Sequence, residues 1–282
     1  MDFKFLFSDN GTLTDYSAEL SNYHSSNAVL PVVAAEDAMY IGVRYPLNSF
    51  YLKVGVANDA ASVMSVSYWD GSTFRSMVET IDETSVNGVT LAQSGHVTFV
   101  PDKNHGMRSE DTQKSNGSEN IAGLGAVNIY DRYWYKLSFS VDLNALTALS
   151  FVGNLFNSDD DLTGLYPGIM DSDILARWET GKTSWEEQSV IAGKALIADL
   201  ISSKVITSGN QILRREKFMM ASCYKTVEII FTPLGEDYAE DKKTAIDNYR
   251  AAKSLDIYDV DQNNNAILET KETAVRTGVL SR

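Results

Sequence analysis

Only one cysteine, Cys223, occurs in the 282 residues, which excludes an intramolecular disulfide and any cysteine-cluster metal site and fits a reducing compartment. Histidine is almost as scarce. His24, His96 and His105 are the three, too few for a multi-histidine zinc site without extensive carboxylate help. Basic residues are in deficit: Lys and Arg number 24 against 38 Asp and Glu, a formal charge of -14. A net charge of that sign disfavours sequence-independent capture of phosphate backbones, so a passive nucleic-acid clamp is not expected. No run of about 18 apolar residues is present, and Met1, Asp2, Phe3 and Lys4 do not open a basic segment followed by a long apolar one. The expectation is a soluble, uncleaved chain that no membrane holds. What the chain does have is 44% hydrophobic and 10% aromatic residues, enough at this length for a sizeable core without covalent staples.

From about residue 38 to 155 the apolar residues recur every second position, the period that puts alternate side chains on opposite faces of a strand. Met39, Ile41, Val43 and Tyr45 form one run, and Phe50, Leu52, Val54 and Val56 form another. Met64, Val66 and Tyr68 lead into Asp70-Gly71, a tight-turn dipeptide, and residues 73–78 return as the partner strand. His96 to Val100 ends at Pro101, and Tyr133, Tyr135, Leu137, Phe139 and Val141 give the longest alternation. Short strands at this spacing predict a sandwich of antiparallel sheets. Residues 102–120 are polar and glycine-containing, almost without large apolar groups, and read as a long exposed loop.

After about residue 165 the period becomes helical. Ser184 and Glu187 are spaced as a capping box, and the helix that follows runs to about Lys204 with Val190, Ile197, Leu200 and Ile201 on one side. A break at Ser208-Gly209-Asn210 precedes a second helix, with Ile212, Met220, Cys223, Val227 and Phe231 opposite Arg214, Arg215 and Lys217. Pro233 and Gly235 end it. A third helix runs from about Glu236 to Lys253. The fold class is therefore α+β with two domains: an antiparallel β-sandwich over 1–160, a linker over 161–180 and an α-helical bundle over 181–282.

The stretch from Asp261 to Glu272 carries the spacing of a calcium loop. Counting from Asp261, oxygen-bearing Asp261, Asn263, Asn265, Glu269 and Glu272 fall where such a loop places its ligands. Ala266 stands where the sharp turn calls for glycine, so low affinity is expected, and an Asn-rich turn bonding its own backbone fits the same residues. No other cofactor is expected. Catalytic patterns are missing: there is no nucleophile elbow, no phosphate-binding loop with lysine and no His-Glu-x-x-His pair. An enzyme is therefore not expected; a glycan hydrolase would need two carboxylates flanking a bond. Arg214, Arg215 and Lys217 read as a docking patch for an acidic partner or neighbouring subunit, or as an ordinary solvated helix face. Trp69, Trp134 and the tyrosines fit either core packing or an aromatic platform for sugars.

Several stretches resemble structural proteins of tailed bacteriophages. Residues 195–208 (ALIADLISSKVITS), then Gly209 to Leu213, 221–231 (ASCYKTVEIIF) and 237–252 are similar to the helical core of the head-to-tail adaptor, or head completion, family. Ser67 to Phe74, Thr90 to Gly95 and Tyr133 to Leu137 resemble neck and tail-associated sandwich domains. The resemblance spans about 38–255 and rests on packing and turn residues, not on chemistry; the large sandwich departs from the smallest adaptors. It implies a bundle of adaptor type in a virion neck protein, made in the host cytoplasm. It further implies a homo-oligomeric ring of about twelve copies that docks on the portal protein, receives a downstream neck or tail protein and lets DNA pass without specific binding. Residues 273–282 would form an arm toward the portal. The alternative function is a carbohydrate- or receptor-binding β-sandwich module of a phage tail.

Overall fold

The computed structural model describes residues 3–23, 27–100, 121, 123–124, 132–255, 257–263, 272 and 275–276. The fold is α+β; the described residues form two large antiparallel sheets, one two-stranded pair and six α-helices. The chain divides into two compact units, the first built on 1–153 with 263–267, the second on 154–262 with 268–282. The expected loop at 102–120 lies outside the described residues, as does most of the expected arm at 273–282.

In the first unit, one sheet contains β1 (Lys4–Asp9), β2 (Thr12–Asp15), β4 (Ala38–Val43), β6 (Met64–Trp69), β7 (Phe74–Ser76) and β10 (Tyr133–Phe139), in the order β2-β1-β4-β10-β6-β7. The other contains β3 (Ala28–Val29), β5 (Ser49–Val56), β8 (Val78–Asp82), β9 (Gly95–Val100) and β11 (Ala148–Gly153), in the order β3-β11-β5-β9-β8. A short helix, α1 (Ser17–Ser21), follows β2. Both sheets contribute to one core, in which Phe5, Ile41, Val66 and Leu137 meet Phe50, Val97, Leu149 and Val152. Phe99 and Tyr135, one from each sheet, lie 5.5 Å apart.

The alternation expected from Tyr133 to Val141 holds as far as Phe139, where the strand ends and leaves Val141 exposed: Tyr135, Leu137 and Phe139 enter that core, while Trp134 turns to the opposite face. There Trp134 joins Leu6, Tyr40, Trp69, Ile121 and Leu124 in a second cluster. Its ring lies over Gly42, its partner in β4, where an added Cβ would come within 2.8 Å of the ring. The absence of a side chain at Gly42 is therefore what admits the indole.

The hairpin at Asp70-Gly71 also forms. Asp70 Oδ1 accepts from the amides of Ser72 and Thr73 at 2.8 Å, and Gly71 takes φ 98°. The return strand differs from the expected 73–78. Phe74–Ser76 pairs with β6, and after Met77 the chain passes to the other sheet as β8. The pairing of β8 with β9 shifts register between Val78 and Ile81, where Glu79 adopts φ 55°.

The second unit is mainly helical: α2 (Asp159–Leu165), α3 (Ser172–Trp178), α4 (Glu186–Ser202), α5 (Met219–Phe231) and α6 (Ala239–Leu255), with the short pair β12 (Ile257–Tyr258) and β13 (Val275–Arg276). Three sequence expectations need correction. Residues 161–180 are not a linker, since they carry most of α2, a 3-10 turn at Pro167–Met170 and all of α3. The polar run Ser158 to Asp161 starts a helix: Ser158 Oγ accepts from the Asp161 amide, and Asp161 Oδ2 accepts from the Ser158 amide. The box at Ser184 and Glu187 does not form. Trp185 takes the cap position and Ser184 Oγ accepts instead from the Glu186 amide at 3.0 Å. Finally, the second helix begins at Met219, not near Ile212, because Gly209–Gln211 and Arg215–Lys217 are separate 3-10 turns.

Two apolar clusters hold this unit. Leu162, Ile169, Trp185, Cys223, Val227 and Phe231 form one, and Leu196, Leu200, Ile212, Phe218, Tyr249 and Val260 form the other. A buried polar hub lies between α4 and α5. Asn157 Nδ2 donates to Ser189 Oγ at 2.8 Å, and Asn157 Oδ1 accepts from Ser222 Oγ at 2.6 Å. Such a hub fixes one relative setting of the helices, because any slip leaves buried polar groups unpaired.

A candidate site at the C-terminal clasp

The connection between α4 and α5 is built around Gln211. After Lys204 turns the chain at φ 58°, Ser208 caps the 3-10 turn Gly209–Gln211. The Gln211 carboxamide reaches back: its Oε1 accepts from the amides of Thr207 (2.5 Å) and Ser208 (3.1 Å). Its other end reaches forward. Nε2 donates to the Asp261 carbonyl at 2.8 Å, while the Asp261 amide donates to the Gln211 carbonyl at 2.8 Å. Next to this double bond, Ile212 and Val260 make an antiparallel bridge. Val260 is buried with Leu196, Leu200 and Phe218. Gln211, buried itself, thus satisfies donors and acceptors on both strands of chain that meet there.

Both candidates singled out in the sequence converge on this clasp. Arg214 Nη1 lies 3.0 Å from Asp259 Oδ2, with Asp259 buried and Arg214 half exposed. The residue expected to greet an acidic partner thus meets an acid of its own chain. Arg215 is half-buried and Lys217 exposed in the 3-10 turn before α5. From the calcium pattern, Asp261 and Glu272 are both fully buried, and Glu272 Oε1 accepts from the Gln262 amide at 2.8 Å. Asn263 is exposed. Asn265 and Glu269 lie outside the described residues. Among the described residues no three His, Cys, Asp or Glu side chains converge as metal ligands do.

The clasp's chemistry is that of a fastener: carboxylates and a carboxamide accept from amides and a guanidinium, with no nucleophile activated. Replacing Glu272 with Ala removes the buried carboxylate that accepts from the Gln262 amide. The expected result is faster hydrogen exchange around 259–262, to the same degree in calcium and in chelator. An effect of Glu272→Ala confined to calcium would instead identify the loop as a metal site.

No protein family, curated protein or solved structure matches the chain. Its chemistry must be read from its own residues. Cys223 is buried and pushed up to about 12, first by burial and then by the charge of Asp161, so it remains a thiol at neutral pH. Trp69 and Trp134 are 4% and 1% exposed, so neither presents a face to a sugar. Gln211 escaped the sequence reading; the signal was present in Ser208-x-x-Gln211, which has the spacing of a capping box, but the break at Gly209 drew attention instead.

Proposed function

We propose that this chain is a virion structural protein, a head-to-tail adaptor or neck component that forms a ring on the portal, extends the DNA channel and joins capsid to tail. The first unit would be its β-sandwich domain and the second its adaptor-type bundle. The observation that supports this reading is that three of the four stretches resembling adaptor proteins, 195–208, 221–231 and 237–252, fall largely on α4, α5 and α6 of one unit. The expected arm at 273–282 is met by the structure only at Val275–Arg276, which pair with Ile257–Tyr258 of the same chain; a reach toward the portal would therefore belong to the residues after Arg276.

The charge suits the role. Duplex DNA carries about one negative charge per 1.7 Å, and a ring whose every copy has a net charge of -14 does not attract it. A ring also needs two different complementary faces on each copy. Mixing the purified chain with its portal protein and measuring the mass of the complex tests the reading. The expected result is a complex of fixed stoichiometry near one copy per portal subunit. A chain that stays monomeric and unbound in the presence of portal would overturn the proposal.

A further inference from the structure

Lys182 is held in a way that ammonium groups rarely are. Its side chain is only 7% exposed, yet among the described residues no acceptor stands within hydrogen-bond distance of Nζ, and Glu187 Oε2 remains 3.9 Å away. The group lies instead 5.1 Å from the ring centre of Trp185 and 5.9 Å from that of Trp178. The two indoles meet at 87° with centres 5.6 Å apart and so wall a corner. Three donors without a protein acceptor, on a side chain this buried, are an exception that calls for a reason.

Other cations over rings in this unit show the ordinary arrangement. Lys225 and Lys253 both lie over Tyr249, but Lys225 also donates to Glu228 at 2.9 Å and Lys253 to Asp199 at 3.0 Å. Arg177 lies over Tyr238 and donates to Asp237 at 3.1 Å. What the Trp178–Trp185 corner offers is two aromatic rings and a carboxylate out of bonding range. Such a site attracts positive charge and gives nothing to an N–H, which suits a cation that has no N–H groups. The corner is also preset. The Trp185 amide donates to Asp159 Oδ1 and its Nε1 to the Ile169 carbonyl, both at 2.9 Å, so the setting of that ring does not depend on Lys182.

We propose that Trp178, Trp185 and Glu187 form a cage for a quaternary ammonium group, with Lys182 as its tethered occupant. Lys182 comes from a surface turn in which Thr180, Gly181 and Thr183 are exposed and Gly181 takes φ 85°. Its stem can swing outward by bond rotation alone, and the ammonium then gains from water the bonds that the cage withholds. A trimethylammonium head, as in choline or a trimethylated lysine side chain, gives up no such bonds on entering and keeps the attraction of both rings. A primary ammonium must leave its hydrating waters and finds no replacement for them. The site therefore selects by what it lacks, and Lys182 closes it while no ligand is bound.

Calorimetry of the full chain with choline chloride tests the cage. With Lys182 filling it about nine-tenths of the time, Lys182→Ala is expected to bind choline about tenfold more tightly than wild type. Ethanolamine is expected to bind that variant at least about tenfold more weakly than choline, and the uncharged isostere of choline, with carbon in place of nitrogen, is expected not to bind. N-acetyl trimethyllysine, titrated in parallel, shows by its affinity relative to choline whether the cage is better fitted to a methylated side chain or to a free small molecule. In wild type the ε-methylene protons of Lys182 lie against the rings and are expected upfield in the NMR spectrum; saturating choline returns them to the position of an exposed lysine. A folded Lys182→Ala chain that binds choline no better than wild type, or takes the isostere equally well, overturns the proposal. Should that variant not fold, wild type decides: Lys182 protons that are not upfield, or that choline leaves unmoved, overturn it equally. Neither result depends on the portal, so the cage and the ring stand or fall separately.

Discussion

Replacing Trp185 with alanine is expected to cost the helical unit about 4 kcal/mol of stability. The indole is fully buried, and its Nε1 donates to the Ile169 carbonyl at 2.9 Å. It belongs to a buried cluster drawn from four further elements: Leu162 of α2, Leu175 of α3, Cys223 and Val227 of α5, and Ala245 of α6. Trp178 meets it edge-on at 5.6 Å, and Lys182 Nζ sits 5.1 Å from the ring centre. Alanine would leave a cavity among elements that cannot all collapse at once, and would orphan a buried carbonyl. Denaturant unfolding followed by far-ultraviolet circular dichroism measures the loss. A change below about 1 kcal/mol, the scale of an exposed substitution, would mean that the ring is not buried as described.

Gln211→Ala comes next in size, at about 3 kcal/mol if the clasp opens only with the rest of the unit. The substitution removes the acceptor for the Thr207 and Ser208 amides and the side-chain donor to Asp261. The backbone bond from the Asp261 amide and the Ile212–Val260 bridge remain, so the segment should loosen before it leaves. Hydrogen exchange distinguishes the two stages. Amides of 259–262 are expected to lose protection by roughly a hundredfold, about 2.7 kcal/mol, while those in the middle of α5 change less. Gln211→Glu should behave almost as badly, since a carboxylate keeps the acceptor but loses the donor. Equal protection in wild type and Gln211→Ala would refute the role given to this side chain.

Strand periodicity was legible in the sequence where one face of a strand packs and the other packs less. Met64 to Tyr68 and Tyr133 to Phe139 alternate because their two faces meet different surroundings. β11 escaped for the opposite reason: all six residues of Ala148–Gly153 are buried, so no alternation marks it. β1 was hidden similarly, with four buried residues in succession. Among helices, α5 and α6 stood out, whereas α2 was masked by Asp159, Asp160 and Asp161. That run reads as a loop by polarity but is an acidic first turn by electrostatics, favoured at the positive end of a helix. The site was half legible. Arg214 and Asp261 drew attention as unusual local patterns, but their convergence depends on Gln211 joining segments fifty residues apart, which no local spacing can announce.

The displaced register at Glu79 bears on what happens when many copies crowd together. Among the described residues β8 is the last strand of its sheet, and Val78 and Ile81 stand more than 60% exposed on it. An apolar strand with a free edge invites a strand from another molecule, the first step toward fibres. Here the left-handed turn at Glu79 breaks the ladder in the middle of the strand and places a carboxylate there. An incoming strand could bond on one side of the break and would then fall out of step with β8, its valine beside a charge. The break at Glu79 therefore keeps β8 from serving as an uninterrupted template for strand addition.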